Sequence, residues 1–358
     1  MEEIISSQKN ILGISDFLNS AKNYTKTSFP DMNYEELFNK SLTGKLDTKF
    51  LLGNIGNIVG NEIRSAIYLM INVILIVIIH SIFKSIIEGL GNSSASKVAY
   101  FIQYLLIVTV VINSFVSVMA ITRDTIQNII DFMNLLIPLM ITLMLTTGNI
   151  TSSSIAQPVL LFMTNFIGNI VNVLVIPFLL VGITLGIVSN FSDKIQIDKL
   201  SSFFKSSVVW FLGIILTIFT CVLSIEGTLS STVDGITAKT AKAAVTNFIP
   251  VIGKILGDTA ETVIGCGNIL KNSVGIIGVI IIIGIVIVPI LKLAILWISF
   301  YLTSAVCEVV ADEKIVKLIY QISESYKILL AILFSISVMF IIGITLVIKM
   351  TNSSLMYR

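Results

Sequence analysis

The side chains that most often carry catalysis are scarce in this sequence. It contains a single histidine, His80, which excludes a zinc site built on paired histidines and leaves one imidazole for any Ser-His nucleophile. It also lacks the G-x-x-x-x-G-K-[ST] loop that cradles the phosphates of ATP. We therefore expect a protein that is not an enzyme and that needs no cofactor and no metal ion. We interpret His80 as an interfacial or helix-packing residue rather than a proton relay.

Three asparagines stand out within a long apolar segment. Asn165, Asn169 and Asn172 have the i, i+4, i+7 spacing that places their amides on one face of a helix. An amide that faces lipid loses its hydrogen bonds with water, so we expect this face to meet protein or water. Two interpretations stay open. The amides line a hydrated path, or they form hydrogen bonds between helices of a bundle.

Three ionisable residues lie within or beside apolar segments, namely Asp131, Glu226 and Lys292. A charge near the centre of a bilayer is costly, so each is a candidate for pore lining or for helix packing. Asp131 and Glu226 also fit positions near a membrane interface. Lys292, which follows Pro289 by three residues, also fits a local kink in which the ammonium group finds a partner.

The composition is that of a membrane protein. The 358 residues are 55% hydrophobic and only 12% charged, with a mean hydropathy of +0.97, whereas soluble domains are roughly 25% charged. The net charge of +2 offers no concentrated basic face for nucleic acid. We predict an all-α, polytopic membrane helix bundle whose partner is the lipid bilayer and which binds no nucleic acid.

Apolar runs of about 20 residues, the length that crosses the hydrocarbon core, predict about seven crossings, with amphipathic interfacial helices in addition. Six or eight crossings are also compatible with the pattern. The fourth run contains Pro177 and is too long for one upright crossing, so we predict either a tilted, kinked helix or one and a half crossings with a break near Ile176. The predicted spans are residues 65–83, 98–120, 125–147, 156–188, 207–231, 273–301 and 329–349.

The same pattern divides the chain into four segments. Residues 1–64 are predicted to form an extramembrane segment of two amphipathic helices that rest on the bilayer or on a partner, with a partly disordered tail as the alternative. Residues 65–231 hold the first five spans of the membrane bundle. Residues 232–272 are predicted to be amphipathic or re-entrant, and residues 273–358 hold the last two spans and a short C-terminal tail.

The stretch 226–272 carries apolar residues at helical spacing with lysines between them. Asp234-Gly235 predicts a turn and Pro250 predicts a break, while Asp258 has the residue type and spacing of a helix N-cap. We interpret the stretch as two short amphipathic helices that lie along the membrane surface or dip into it. A solvated loop with some helical content is the alternative.

This stretch also carries a family resemblance. Residues 216–271, LTIFTCVLSIEGTLSSTVDGITAKTAKAAVTNFIPVIGKILGDTAETVIGCGNILK, resemble the central block of the stage III sporulation protein AE family of endospore-forming bacteria. The resemblance extends upstream through FMNLLIPLMITLMLTTG, residues 132–148, and downstream to the closing TNSSLMYR. It covers most of the chain from about residue 40 onward.

The resemblance implies a multi-pass protein of the mother-cell membrane that faces the forespore. It implies membership of a channel or secretion-like complex with the other proteins of the stage III sporulation A operon, a forespore-side partner and, if the work is energised, a separate ATPase subunit. Late forespore gene expression and spore formation would depend on that complex. Within it, we expect a partner-docking segment at Asp234, Lys239, Lys242, Asn247 and Pro250.

A second hypothesis comes from another class of protein, a stand-alone secondary transporter or permease of a small solute. Transporters of this kind contain broken helices near the bilayer centre. Pro177 and Pro289 interrupt two of the predicted spans, which fits such breaks, but the two halves of the chain show no repeat at the level of residues.

Overall fold

The structure, a computed structural model, describes residues 9–356 with gaps at 27, 31, 45–48, 90–92, 192–196 and 249–251. For some helical parts, chiefly residues 226–248, 252–262 and 350–356, it describes the backbone alone. Every regular element in these ranges is a helix, which confirms the all-α prediction. The elements are α1 (Ile14–Thr25), α2 (Tyr34–Leu42), α3 (Lys49–Gly89), α4 (Ser93–Thr146), α5 (Ile150–Ile170), a π-helical segment (Val171–Val175), α6 (Ile176–Phe191), α7 (Asp198–Phe248), α8 (Ile252–Cys307) and α9 (Glu313–Met356).

Among the described residues, six helices are long and apolar enough to cross a membrane, so the prediction of about seven crossings is approximate. The second and third predicted spans lie on one continuous helix, the 54-residue α4. Arg123 and Asp124 mark the expected gap, but charged residues without Gly or Pro do not end a helix. At a rise of 1.5 Å per residue α4 is about 80 Å long, far more than the hydrocarbon core alone requires.

The fourth predicted span changes its helix type close to the expected place, while its backbone stays helical throughout. The π-helical segment Val171–Val175 comes directly before Ile176 and Pro177 and separates α5 from α6. Proline has no N–H to donate and its ring crowds the carbonyl four residues earlier, so the wider π turn accommodates it.

Helix α8 is the centre of the bundle, because it packs most extensively against α9 and also contacts α1, α2, α3, α4 and α7. Glycines allow this close packing. A Cβ atom at Gly278 would lie 2.8 Å from Cδ2 of Leu136 on α4, and one at Gly275 would collide with Cδ1 and Cγ1 of Ile348 on α9.

The N-terminal helices α1 and α2 bury their apolar faces against α4 and α8. The rings of Phe17 and Tyr24 lie 5.9 and 5.8 Å from the ring of Phe132 on α4. Between the two helices, the Ser28 hydroxyl donates to the backbone carbonyl of Gly284 on α8. The amphipathic helices expected at the N-terminus are therefore present, and their apolar faces meet the same chain. That residues 1–64 lie outside the membrane stays a prediction.

The stretch 226–272 differs from the short helices expected there. Its backbone belongs to the ends of two long helices, because α7 continues to Phe248 and α8 begins at Ile252. The turn predicted at Asp234-Gly235 is wrong, since helix continuation overrides the local turn preference. The helix start predicted at Asp258 is also wrong, because α8 already begins at Ile252. The division of the chain at residues 231 and 272 stays a prediction.

We expect Gly275→Ala to lower the free energy of unfolding by about 1–3 kcal/mol, because the added methyl group overpacks the contact with Ile348. Gly213→Ala on α7 is the matched control. A Cβ atom at Gly213 meets nothing within 4 Å, so this change should leave stability unchanged or raise it by up to about 1 kcal/mol. Thermal unfolding of both variants in detergent measures the difference, and equal midpoints would contradict the close contact.

Candidate functional site

One side of α4 carries polar residues along the length of a membrane. Exposed or half-buried positions recur there every three or four residues, within the apolar span Tyr104–Thr146. Residues 113 and 142, at its two ends, lie about 44 Å apart along the helix axis, compared with roughly 30 Å of hydrocarbon. We call this set the α4 stripe; its polar members are Asn113, Ser117, Asp124, Gln127, Asp131, Asn134 and Thr142.

Helix α5 lies antiparallel beside α4 because the chain reverses at Gly148, whose φ of 79° suits a residue without a side chain. The two helices approach closely where α5 has Gly168, since a Cβ atom there would collide with Cδ1 of Ile130. Asn169, the next residue, is therefore at the level of Asp131 on α4. Its side chain is exposed.

An amide pair joins the two helices. Asn165 Nδ2 donates to Asn134 Oδ1 at 3.2 Å, and Asn134 Nδ2 donates to Asn165 Oδ1 at 3.4 Å. Sequence reasoning selected Asn165, Asn169 and Asn172 but missed Asn134, although its position three residues after Asp131 was a signal. Asn165 forms the interhelical bond that one interpretation required, while Asn169 stays exposed and Asn172 is half-buried. Their pore-lining or packing roles stay predictions.

Asp131 lies near the middle of the α4 stripe. Its Oδ1 accepts a hydrogen bond from Gln127 Nε2 at 2.9 Å, and its side chain is exposed. Tyr24 of α1 packs against the neighbouring Phe132, and burial and the Asp131 carboxylate raise the pKa of its phenol. Helix α1 therefore borders the stripe and adds exposed polar residues of its own, namely Asp16, Asn19, Lys22, Asn23 and Lys26.

Lys292 lies elsewhere in the bundle. Its Nζ is 3.7 Å from Oε2 of Glu62 on α3, and the two side chains are 31% and 20% exposed. The partner expected for this lysine is thus an acidic residue on another helix. Sequence reasoning missed Glu62 because it precedes residue 65, where the first span was predicted to begin. The structure does not bring Lys292 together with the asparagines.

The remaining predicted site residues are described only in part. Glu226, Asp234, Lys239, Lys242 and Asn247 have their backbone within α7, but their side chains lie outside the described residues, as does the side chain of His80 in α3. Pro250 lies outside them altogether. Their proposed roles stay predictions.

In the part of the chain that the structure covers, no group of three or more His, Cys, Asp or Glu side chains could hold a metal ion. A groove on the outer face of α7, around Trp210 and Gly213, is lined by apolar side chains and one threonine. The α4 stripe is the candidate functional surface, because polar side chains are exposed on it within an apolar span.

Long apolar helices around a glycine-packed α8 define an α-helical multi-pass membrane protein. The sequence profile of the family described as Stage III sporulation protein AE matches residues 32–351, so the chain belongs to this sporulation family, as its central block indicated. A relative from Bacillus subtilis (strain 168), "Stage III sporulation protein AE", is 31% identical over 252 residues. The alignment covers 70% of this chain and 63% of that relative, less than two thirds of its length. No solved structure matches the chain.

We expect Glu62→Gln to lower the free energy of unfolding by about 1–2 kcal/mol, because it leaves the half-buried Lys292 ammonium without its counter-charge. The double change Glu62→Met with Lys292→Met should recover most of this loss, since it removes both charges.

The control is Glu36→Gln. This carboxylate pairs with Lys40 at 2.6 Å on the surface of α2, where both side chains are exposed, so its loss should change stability by less than about 0.5 kcal/mol. Thermal unfolding of the purified variants is the measurement. A Glu62→Gln midpoint equal to that of the control would contradict a structural role for the pair.

Proposed function

We propose that the protein is a non-enzymatic membrane component of a channel or secretion-like complex that links mother cell and forespore. The observation that carries the proposal is the α4 stripe, a polar surface as long as a membrane is thick. Membership of the sporulation family supports the biological setting. Late forespore gene expression and spore formation are the processes that would depend on it.

The outer surface of the bundle has two different sides. The exposed residues of α3 are mostly apolar, with Ile71 and Leu75 among them, and Trp210 and Ile214 are exposed on α7. Such surfaces are solvated well by lipid. The α4 stripe exposes two carboxylates and several amides, and within a bilayer these groups are stable when they face water or another polar surface. We assign the stripe to the side that faces a hydrated passage.

The setting we propose is the mother-cell membrane facing the forespore. The partners are the other proteins of the stage III sporulation A operon and a forespore-side protein. Because the sequence holds no G-x-x-x-x-G-K-[ST] loop, a separate ATPase subunit would supply any ATP-driven work.

We place partner docking at the junction of α7 and α8. The long helices α7 and α8 meet in sequence around Pro250, and residues 226–248 are markedly more polar than the apolar part of α7. Asp234, Lys239, Lys242 and Asn247 belong to this polar end and supply charges and an amide for recognition. A stand-alone transporter is not favoured, because the family is a sporulation family.

The proposal is tested in an endospore-forming host whose own copy of this gene is replaced by variants. We expect Asp131→Leu combined with Asn169→Leu to reduce heat-resistant spores by roughly tenfold or more, because the passage wall becomes apolar. The chain should remain in the membrane fraction, since these side chains are exposed.

The matched control is Ile214→Leu combined with Ile218→Leu on the exposed apolar face of α7. It should sporulate normally. Full sporulation of the stripe variant would contradict the proposal. Loss of the chain from the membrane fraction would instead indicate that the stripe residues are needed for folding.

A further inference from the structure

Helices α5 and α7 are separated by a narrow apolar cleft. Its volume is 190 Å³, and all the side chains that line it are apolar. One wall consists of residues from α5 and from the π-helical segment, namely Met163, Phe166, Ile167, Ile170 and Leu174. The helical period places the α5 members on the side of the helix opposite Asn165 and Asn169. The cleft is therefore separate from the proposed polar passage.

The other wall is an apolar face of α7. Its members recur at helical spacing, namely Phe211, Ile214, Ile215, Ile218 and Phe219. Phe211 and Phe219 mark the two ends of the wall, about 12 Å apart along the helix axis. Each ring packs edge-on against another ring, because Phe178 of α6 lies 5.5 Å from Phe211 and Phe340 of α9 lies 6.4 Å from Phe219. These ring contacts hold both ends in place, so the two walls do not close on each other.

The cleft opens to the outside of the bundle. Phe166, Ile214 and Ile218 line it and are 39%, 49% and 46% exposed. Ile214 and Ile218 also line the groove on the outer face of α7. Both walls belong to candidate membrane spans, Ile150–Asn190 and Asp198–Ile225. Within a bilayer, lipid chains are the molecules that reach this opening.

Size and chemistry decide what can occupy the cleft. Water needs polar partners, so an apolar cavity stays dry and takes up apolar molecules. An α-helix is about 10 Å wide, whereas 190 Å³ spread over a length of about 12 Å is far narrower, so a further helix does not fit inside. One acyl chain fits, because a chain spans roughly 15 Å in its half of a hydrocarbon core of roughly 30 Å, close to the length of the cleft.

We propose that the cleft between α5 and α7 binds one acyl chain of a membrane phospholipid. The chain lies along the helices, contacts Ile167 and Ile215 on the two walls, and reaches Leu174 of the π-helical segment. It supplies the dispersion contacts that these side chains lack when the cleft is empty. The bound chain thereby supports the π turn, a type of irregularity that is frequent at functional sites.

The test is photolabelling of the full chain in liposomes. These consist of phosphatidylcholine with a small fraction of the same lipid carrying a diazirine in its acyl chain, and tandem mass spectrometry locates the adducts. Ile167 and Ile215 line the cleft and are only 1% and 7% exposed, so lipid reaches them through the cleft. Ile281 of α8, 0% exposed, is the buried control. Leu75 of α3, 50% exposed, reports ordinary lipid at the surface.

We expect Ile167 and Ile215 to carry at least about tenfold more adduct than Ile281, because the close-packed interior elsewhere excludes lipid. Ile170→Trp fills the cleft, so it should lower the adducts at both positions about fivefold or more while Leu75 is labelled as before.

The matched control is Ile71→Trp on the exposed face of α3, which should leave the labelling of Ile167 and Ile215 unchanged. Elution as a single sharp peak in gel filtration shows that each variant has folded. If Ile170→Trp does not fold, Ile215→Phe fills the same space and Ile167 remains the reporter.

Adducts at Ile167 and Ile215 that are no more abundant than at Ile281 overturn the proposal, and so do adducts that the folded filling variants leave unchanged. Labelling of the two residues by a diazirine-bearing palmitate but not by the phospholipid would overturn the assignment in favour of a free fatty acid. Absent labelling together with a disulfide-linked dimer of Ile218→Cys, in a Cys221→Ser background, would assign the outer face of the cleft to a second copy of the chain.

Discussion

The cost of turning hydrogen-bonding groups toward lipid is the constraint on which the rest of this structure depends. It explains why the backbone within the described spans is helical. It also distinguishes an apolar side of the outer surface of the bundle from a polar side. Helix α3 turns Ile71 and Leu75 outward, and lipid can cover them. Helix α4 turns Gln127 and Asp131 outward, and lipid cannot satisfy them. The two surfaces therefore differ in the surroundings that would stabilise them.

Close packing around α8 holds the polar surface in place. Gly275 and Gly278 let α4 and α9 approach α8, and Gly284 lets Thr25 at the end of α1 and Phe29 pack against α8. Gly168 likewise allows α5 to approach α4 closely. The amides of Asn134 and Asn165 form hydrogen bonds between these two helices. Small residues and interhelical amides are the usual means of helix association in membranes, because apolar contact alone does not distinguish a helix from lipid.

Sequence reasoning succeeded where a strong local signal exists. Long apolar runs predicted the helical membrane bundle, and Pro177 predicted the disturbance of the helix near Ile176, because proline alters the hydrogen bonding of its own helix. It failed at Arg123, where the charge pattern predicted two spans and α4 continues, and at Asp234-Gly235, where a turn preference was overridden. Local preferences are weak compared with the hydrogen bonding and packing of a long helix.

The sequence by itself determined the class of the protein, the places where proline disturbs a helix and the shared face of Asn165 and Asn169, because these follow from composition and the 3.6-residue period. Only the tertiary structure decided that Glu62 pairs with Lys292 and that Asn134 bonds to Asn165. It also decided that the polar side of α4 is exposed over the length of a membrane. Such relations join residues far apart in the chain, and the periodicity of one helix carries no information about which neighbour will cover each of its faces.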